Sequence, residues 1–397
     1  MKNKSDAEKH ICPVCCRTDI SVFIDIARLP VHCSMLWPTQ DGAVKAPRGD
    51  IRLAHCRFCG HIFNLAFDPG LMKYDQDYEN SLHFSPRFQE YAGSLAGRLI
   101  DRYDLHDMDI LEIGCGKGDF LRLLCELGGN RGVGFDPSYD RDRTGGPVPE
   151  GLTFVQDFYS DRYADCKADL ICCRHVLEHI QYPRDFLTGL RGAIGGRLGI
   201  KVFFEVPNAL FTLKDLSIWD LIYEHCSYFT EPSLAYLFTS CGFRILDISE
   251  SFEGQFLCIE AGPVTMVDGA TDYGDYRRRI SRYAGAFSAR YRSRVEAWKN
   301  EIGRIGRAEK RLVIWGGGSK GVTFLNTLGV KDESRYVVDI NPHKHGKYIP
   351  GTGQEIVPPE FLSEYKPEII VVMNPVYIDE ICRAVRGTNV DAGVVPV

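Results

Sequence analysis

From Asp109 to Phe120 the chain reads Asp-Ile-Leu-Glu-Ile-Gly-Cys-Gly-Lys-Gly-Asp-Phe, an apolar run that breaks into three alternating glycines before a helix-forming stretch resumes. Strand, glycine turn and helix in that order form the entry to a doubly wound α/β sheet, where glycines let the backbone approach a ligand at the carboxyl end of the first strand. A second strand, Gly132-Val-Gly-Phe, ends at Asp136, whose carboxylate is placed to accept both ribose hydroxyls. The spacing is G-x-G-x-G preceded by Glu112, not the G-x-G-x-x-G of a pyrophosphate cradle, so this loop need not receive phosphates. With 397 residues, 44% hydrophobic and 25% charged, the chain is long enough for two or three globular units.

Fifteen cysteines are an odd number for a disulfide framework, and several, such as Cys172 and Cys173, sit inside strand-like apolar runs as small core residues. Four stand apart. Cys12-Pro-Val-Cys15 and Cys56-Arg-Phe-Cys59-Gly60 are two C-x-x-C knuckles, together supplying the four thiolates of a closed tetrahedral sphere. Cys12, Cys15, Cys56 and Cys59 are therefore expected to hold structural zinc, with strands of their own between the pairs, Ile20–Leu29 being one. A redox pair or four free thiols are the competing readings. Such a site has no open position for a substrate, so it supports structure and not chemistry. Cys16, His32 and Cys33 are read as packed or surface residues.

A net charge of −6 is a poor electrostatic footprint for binding nucleic acid through phosphates. The first ten residues are polar and no stretch approaches the roughly 18 apolar residues of a membrane span. The expectation is a cytoplasmic protein with no membrane partner.

The glycine loop, Asp136, Asp157 in Thr-Phe-Val-Gln-Asp-Phe, the segment Asp169-Leu-Ile-Cys-Cys-Arg-His175-Val-Leu-Glu-His179, and Phe203-Phe-Glu-Val-Pro-Asn208 follow one another in chain order. This succession resembles the class I S-adenosylmethionine-dependent methyltransferases. The resemblance implies that Glu112, Gly114, Gly116 and Gly118 lie along the methionine portion of the cofactor, that Asp136 holds its ribose, that Asp157 meets the adenine amine, and that His175 belongs to the same site. His179, in an apolar helix, reads as a satisfied core histidine.

Further on, Ile218-Trp-Asp220-Leu-Ile222-Tyr223-Glu224-His225-Cys-Ser-Tyr228-Phe229 is dense in groups that move protons. Methyl transfer to carbon needs a carbanion, and a histidine is the natural base for a proton beside a ketone. Between 277 and 311 twelve Lys or Arg residues alternate with Ile280, Tyr283, Phe287, Tyr291, Trp298, Ile302 and Ile305 at helical intervals, which predicts a connecting helix with one packed and one wet face. A nucleic-acid reader would use the same basic face. Then Trp315-Gly316-Gly-Gly318-Ser319-Lys320-Gly321, a helix, and Tyr336-Val-Val-Asp339 repeat the nucleotide-fold grammar. Taken alone this is a dinucleotide fingerprint, so NAD chemistry is an alternative, although about 87 residues are few for a two-lobed dinucleotide domain.

The order of the three parts resembles sugar C-methyltransferases acting on nucleotide-linked keto-deoxysugars. That resemblance implies a zinc-binding domain over 1–75, a methyltransferase domain over 76–270, a connecting helix over 271–310 and a Rossmann-like domain over 311–397 that faces the nucleotide sugar. His225 falls on the family's base, Glu224 beside it, and Tyr78 on a tyrosine that holds the enolate oxygen. The family's usual Tyr-His-Glu-His reads Ile222-Tyr223-Glu224-His225 here, with the tyrosine one place late. Asn208, Gly316, Gly318, Ser319, Lys320 and Lys347 are expected on the substrate, the glycine amides and Lys320 at its pyrophosphate. Methylation of oxygen or nitrogen, a zinc-bearing RNA methyltransferase, and a non-catalytic nucleotide-sugar binder are the rival readings.

Overall fold

The computed structural model describes residues 10–35, 37–73, 78–140, 148–266, 274–331 and 333–397. The expected boundaries at 75/76 and 270/271 lie outside the described residues.

The N-terminal part is built from β1 (Ile20–Pro30), a short α1 (Gln40–Val44), β2 (Arg48–Cys56) and β3 (Ile62–Asn64). The strands form an antiparallel meander, with Ile24 opposite Leu53 and Ala54 opposite Phe63. Inward-facing Ile24, Ile26, Ile51 and Leu53 are buried, as the period-two alternation of a half-buried strand requires.

The central part opens with α2 (Pro86–Tyr103). Ser85 caps it by accepting the Phe88 amide, Pro86 occupies its first turn, and Phe88, Ala92, Leu95, Ala96 and Leu99 form its buried face. There follow β4 (Asp109–Ile113), α3 (Asp119–Gly128), β5 (Arg131–Phe135), β6 (Leu152–Val155), β7 (Leu170–Arg174), α4 (Pro183–Ile194), β8 (Lys201–Pro207), α5 (Ala209–Asp215), β9 (Ser227–Tyr228), α6 (Glu231–Ser240), β10 (Phe243–Ser251) and β11 (Phe256–Pro263). Seven strands pair in the order β6-β5-β4-β7-β8-β11-β10, parallel except for β11, which runs against both neighbours. That order, with its reversal beside β4, is the class I methyltransferase sheet, and it puts the ligand crevice at the carboxyl ends of β4, β5 and β7.

One strand departs from its expected domain. β9 leaves the central sheet and pairs with β3, Ile62 opposite Tyr228 and Phe63 opposite Ser227, completing the N-terminal sheet in the order β1-β2-β3-β9. The residues next to His225 are thereby fixed to the cysteine-bearing module.

α7 (Gly274–Arg307) buries Ile280, Phe287, Tyr291, Trp298, Ile302 and Ile305, the face its spacing predicted. It packs on β1 and on the last unit, so one hydrophobic cluster runs from Ile24 through Phe287 to Ile314 and Phe324. Arg277 donates to the Phe58 carbonyl, and Arg290 caps α5 through the Leu213 and Lys214 carbonyls, so part of the basic face is structural.

The C-terminal unit comprises β12 (Leu312–Trp315), α8 (Ser319–Leu328), β13 (Tyr336–Val338), β14 (Glu355–Val357), α9 (Leu362–Tyr365), β15 (Ile369–Val372), α10 (Ile378–Gly387) and β16 (Gly393–Pro396). Its strands are all parallel in the order β14-β13-β12-β15-β16, a Rossmann-like sheet. No helix among the described residues is long and apolar enough to cross a membrane.

Candidate active site

The four knuckle cysteines converge. Cys12 Sγ lies 3.6 Å from Cys59 Sγ and Cys15 Sγ 3.5 Å from Cys56 Sγ, and all four sulfurs are within 4.8 Å of one another. A disulfide would bring a pair to about 2.05 Å. Thiolates at about 2.3 Å from a tetrahedral zinc stand roughly 3.8 Å apart, which is the spacing seen. Each knuckle is closed by its own amides, Cys16 onto the Cys12 carbonyl and Gly60 onto the Cys56 carbonyl at 2.9 Å, with Gly60 at φ 77° where a side chain would be strained. The donor set fits a tetrahedral, thiophilic ion.

The first of two cavities, about 320 Å³, lies over the carboxyl ends of β4 and β5. Glu112, Gly114, Gly116, Asp136, Asp157 and His175 line it. Gly116 has open space where a Cβ would stand, whereas a Cβ on Gly114 would meet Val176 at 2.1 Å. Asp136 accepts the Gly116 amide at 2.8 Å and also the Ser138 amide and hydroxyl, which pins the turn. Asp157 accepts from Tyr163 and Arg162, each at 2.6 Å, and the Tyr163 hydroxyl leads in holding its carboxyl below the usual range. Glu112 is buried with Oε2 unpartnered, and burial raises its pKa to about 8 despite the Arg174 cation. A buried carboxylate oxygen without a partner, beside an open glycine turn, fits a ligand that brings positive charge, as S-adenosylmethionine does. Gly118 is the exception among the expected residues. It caps α3 at φ 81°, its Cβ position falls 2.3 Å from the Phe154 ring, and it lies outside the cavity because it serves packing.

The second cavity, about 330 Å³, lies between the central and C-terminal units. His225, Glu224, Tyr78 and Asn208 line it from one side, and Gly316, Gly318, Ser319 and Lys320 from the other. Tyr78, His175 and His179 line both cavities, so the two share a wall. Lys347 lies outside: its carbonyl accepts the Ile356 amide in the loop leading to β14, and Lys344 faces the cavity in its place.

His225 is pressed well below the ordinary imidazole range by burial, with His179, His175 and Lys320 adding to the effect. It is therefore neutral near pH 7, the form a base requires. Glu224 is locked, accepting the Tyr78 hydroxyl and the Cys33 amide, each at 2.5 Å. The Tyr78 hydroxyl proton is thus committed to Glu224, against the expectation that it holds the enolate oxygen. Tyr223 turns away altogether. Its hydroxyl accepts the Asp68 amide at 2.8 Å, and its ring lies where a Cβ on Gly49 would stand, leaving Ile222 on the cavity.

The sequence reading missed His179 and Glu178. His179 Nδ1 lies 3.1 Å from the Glu224 carbonyl, its ring 4.9 Å from that of His225, and burial lowers its pKa to about 4. Glu178, raised to about 7 by burial, has a carboxylate oxygen within 4.8 Å of the His179 and His225 nitrogens. The available signal was position: both follow β7, at the strand end where doubly wound sheets bind ligands. Beneath them Glu205 gathers Arg174 Nη2 at 2.9 Å, His175 Nε2 at 2.8 Å and the Tyr91 hydroxyl; the His175 backbone, at φ 54°, donates its amide to the Glu205 carbonyl at 2.9 Å.

In the C-terminal unit Asp339 accepts the Gly317 amide at 2.8 Å and lies 3.3 Å from Lys344 Nζ, the same closure of a glycine turn that Asp136 makes.

A family model described as a methyltransferase domain matches residues 88–248, and one described as a C-methyltransferase C-terminal domain matches residues 277–395. The C-methyltransferase NovU of Streptomyces niveus is 28% identical over 309 residues, 74% of this chain and 72% of that protein. A methyltransferase from Aquifex aeolicus aligns at TM-score 0.37 with 15% identity, over 46% of this chain and 95% of its own. The magnesium protoporphyrin IX methyltransferase of Synechocystis PCC 6803, solved with S-adenosylhomocysteine, aligns at 0.34 with 18% identity, over 45% and 84%.

Proposed function

Since this chain is an S-adenosylmethionine-dependent methyltransferase, we propose that it methylates a carbon of a nucleotide-linked keto-deoxysugar, with His225 as the base. One observation carries the reading: a half-buried, neutral imidazole faces a cavity that shares a wall with the one over the glycine loop. The likeness to NovU and the match to a C-methyltransferase C-terminal domain support carbon as the acceptor. Glu112, Gly114, Gly116, Asp136, Asp157 and His175 would hold the cofactor, which supplies an electrophilic methyl group on a sulfonium.

The chain's own residues do the rest. His225 takes the proton beside the ketone, and Glu224 holds Tyr78 and the Cys33 backbone so that the imidazole keeps its place. Gly318 and Ser319 lie at the N-terminus of α8, where free amides favour an anion such as the pyrophosphate, and Gly316 lines the cavity beside them. The four cysteines hold zinc, which fixes the sheet that β9 completes and so anchors His225. The three units correspond to the zinc, methyltransferase and nucleotide-facing domains, joined by α7. A small molecule is the partner instead of nucleic acid, because residues of the basic helix such as Arg277 and Arg290 are spent on internal contacts. A reducing cytoplasm suits fifteen free cysteines.

Incubation with methyl-labelled cofactor and a panel of keto-deoxysugar nucleotides, followed by NMR location of the label, tests this. A new carbon-bound methyl beside the ketone supports it. A methyl on oxygen or nitrogen, or no product with any of the panel, overturns it.

A further inference from the structure

Enolisation places negative charge on the ketone oxygen, and a buried site needs a positive or strongly donating group there. Tyr78 gives its hydroxyl proton to Glu224. Asn208 spends its amide donors on Glu250 and the Gly254 carbonyl. Lys344, on the same cavity, lies 3.3 Å from Asp339 under the glycine turn. Lys320 is ion-paired too, but on the loop that carries His225. It stands at the second position of α8 and crosses from the C-terminal unit to pair with Asp220, five residues before His225 in the same loop.

The docking that brings it there is extensive. Trp219 meets Phe324 edge to face at 4.9 Å, Thr323 Oγ1 donates to the Leu221 carbonyl at 3.5 Å, and Asp220 also accepts from Ser217 at 2.5 Å. Lys320 and Asp220 are 17% and 21% exposed, and both line the cavity that His225 faces. The ammonium is close enough to contribute to the depression of the His225 imidazole. Asp220 beside the ammonium repels the several charges of a diphosphate more strongly than the single charge that develops on an enolate oxygen.

We propose that Lys320 holds the enolate oxygen of the substrate, with Asp220 as the residue that positions it, and that the pyrophosphate is bound elsewhere on the glycine turn. This rests on His225 as the base of a carbon methylation. In the step the α C–H bond breaks and its proton goes to the His225 nitrogen. The electron pair forms the C=C bond while the carbonyl π pair moves onto oxygen, beside the Lys320 ammonium. The C-terminal unit thereby supplies a group to the chemistry as well as a binding surface.

The test is solvent deuterium wash-in at the carbon beside the ketone, measured without methyl donor on a nucleotide sugar from the keto-deoxysugar panel, for the parent enzyme, Lys320→Met, Lys320→Arg and Asp220→Asn. Binding of uridine and thymidine diphosphates is measured in parallel. Lys320→Met is expected to slow wash-in roughly 10²- to 10³-fold, the cost of losing an oxyanion donor, with diphosphate affinity within about threefold of the parent. Lys320→Arg should recover part of the rate, and Asp220→Asn should lower kcat while leaving KM nearly unchanged. Unaltered wash-in in Lys320→Met, or intact wash-in with diphosphate binding lost, overturns the assignment and returns Lys320 to the phosphates. Absence of wash-in by the parent across the panel overturns the enolisation reading on which the assignment rests. Cofactor binding and thermal unfolding of each variant separate misfolding from a local effect.

Discussion

Replacing Glu112 by Gln tests the cofactor site most directly, because the carboxyl is buried, one oxygen has no partner, and burial raises its pKa from 4.5 to about 8. A group with that value is about 90% protonated at pH 7. The folded-state pKa is raised, so its stability contribution is complete below pH 4.5 and is lost as pH climbs through 8. The full shift corresponds to an upper figure of about 5 kcal/mol for charging this carboxyl in the cofactor-free protein. A ligand bearing positive charge reverses this preference, draws the carboxyl into its ionised form and expels the proton. Calorimetric titration with S-adenosylmethionine at pH 7, repeated in buffers of different ionisation enthalpy, should show the parent releasing up to about 0.9 proton more than Glu112→Gln. The variant should also bind the cofactor more weakly, and its cofactor-free form should unfold at a higher temperature than the parent's at pH 8 but not at pH 4.5. Equal proton release by the two proteins, or tighter binding by the carboxamide, would show that Glu112 faces no cation and that the glycine loop has been misread.

His225→Ala should keep cofactor affinity within a few-fold while turnover falls on the order of 10² to 10⁴, and a variant turning over at the parent rate would remove the base from the mechanism. Because burial, with His179, His175 and Lys320 adding to it, leaves His225 well below pH 6.5, kcat/KM should be flat at pH 6.5 and decline only at more acid values; a half-maximal point at or above 6.5 contradicts a desolvated imidazole. Cys56→Ser should lower zinc content from about one ion per chain and, through the β3–β9 pairing, reduce turnover along with thermal stability. Full zinc-free activity in that variant would disconnect the knuckles from the site.

Much of this molecule was legible locally. The alternating glycines, the helix from Pro86 to Tyr103 with its serine cap, the basic helix with its apolar stripe and the two C-x-x-C knuckles follow from turn chemistry, capping and periodicity, which act over a few residues. So does the presence of Glu112 and Asp136 at strand ends. His179 shows the limit of this: Leu177 and Ile180 beside it in sequence suggest a core histidine, while its neighbours in space are His225 and the Glu224 backbone.

The tertiary structure alone decided which polar groups remain available. The Tyr78 proton goes to a carboxylate 146 positions away, Tyr223 rotates under the N-terminal sheet, Lys347 falls outside the cavity, and Gly118 serves the Phe154 ring. Lys320 meets an acid from another unit, and β9 joins a sheet whose other three strands lie between Ile20 and Asn64. Sequence patterning fixes which face of an element seeks cover, because that depends on the period of the backbone. What covers it, and which hydrogen-bond donors are left over for a substrate, depends on surfaces that only the folded chain brings together.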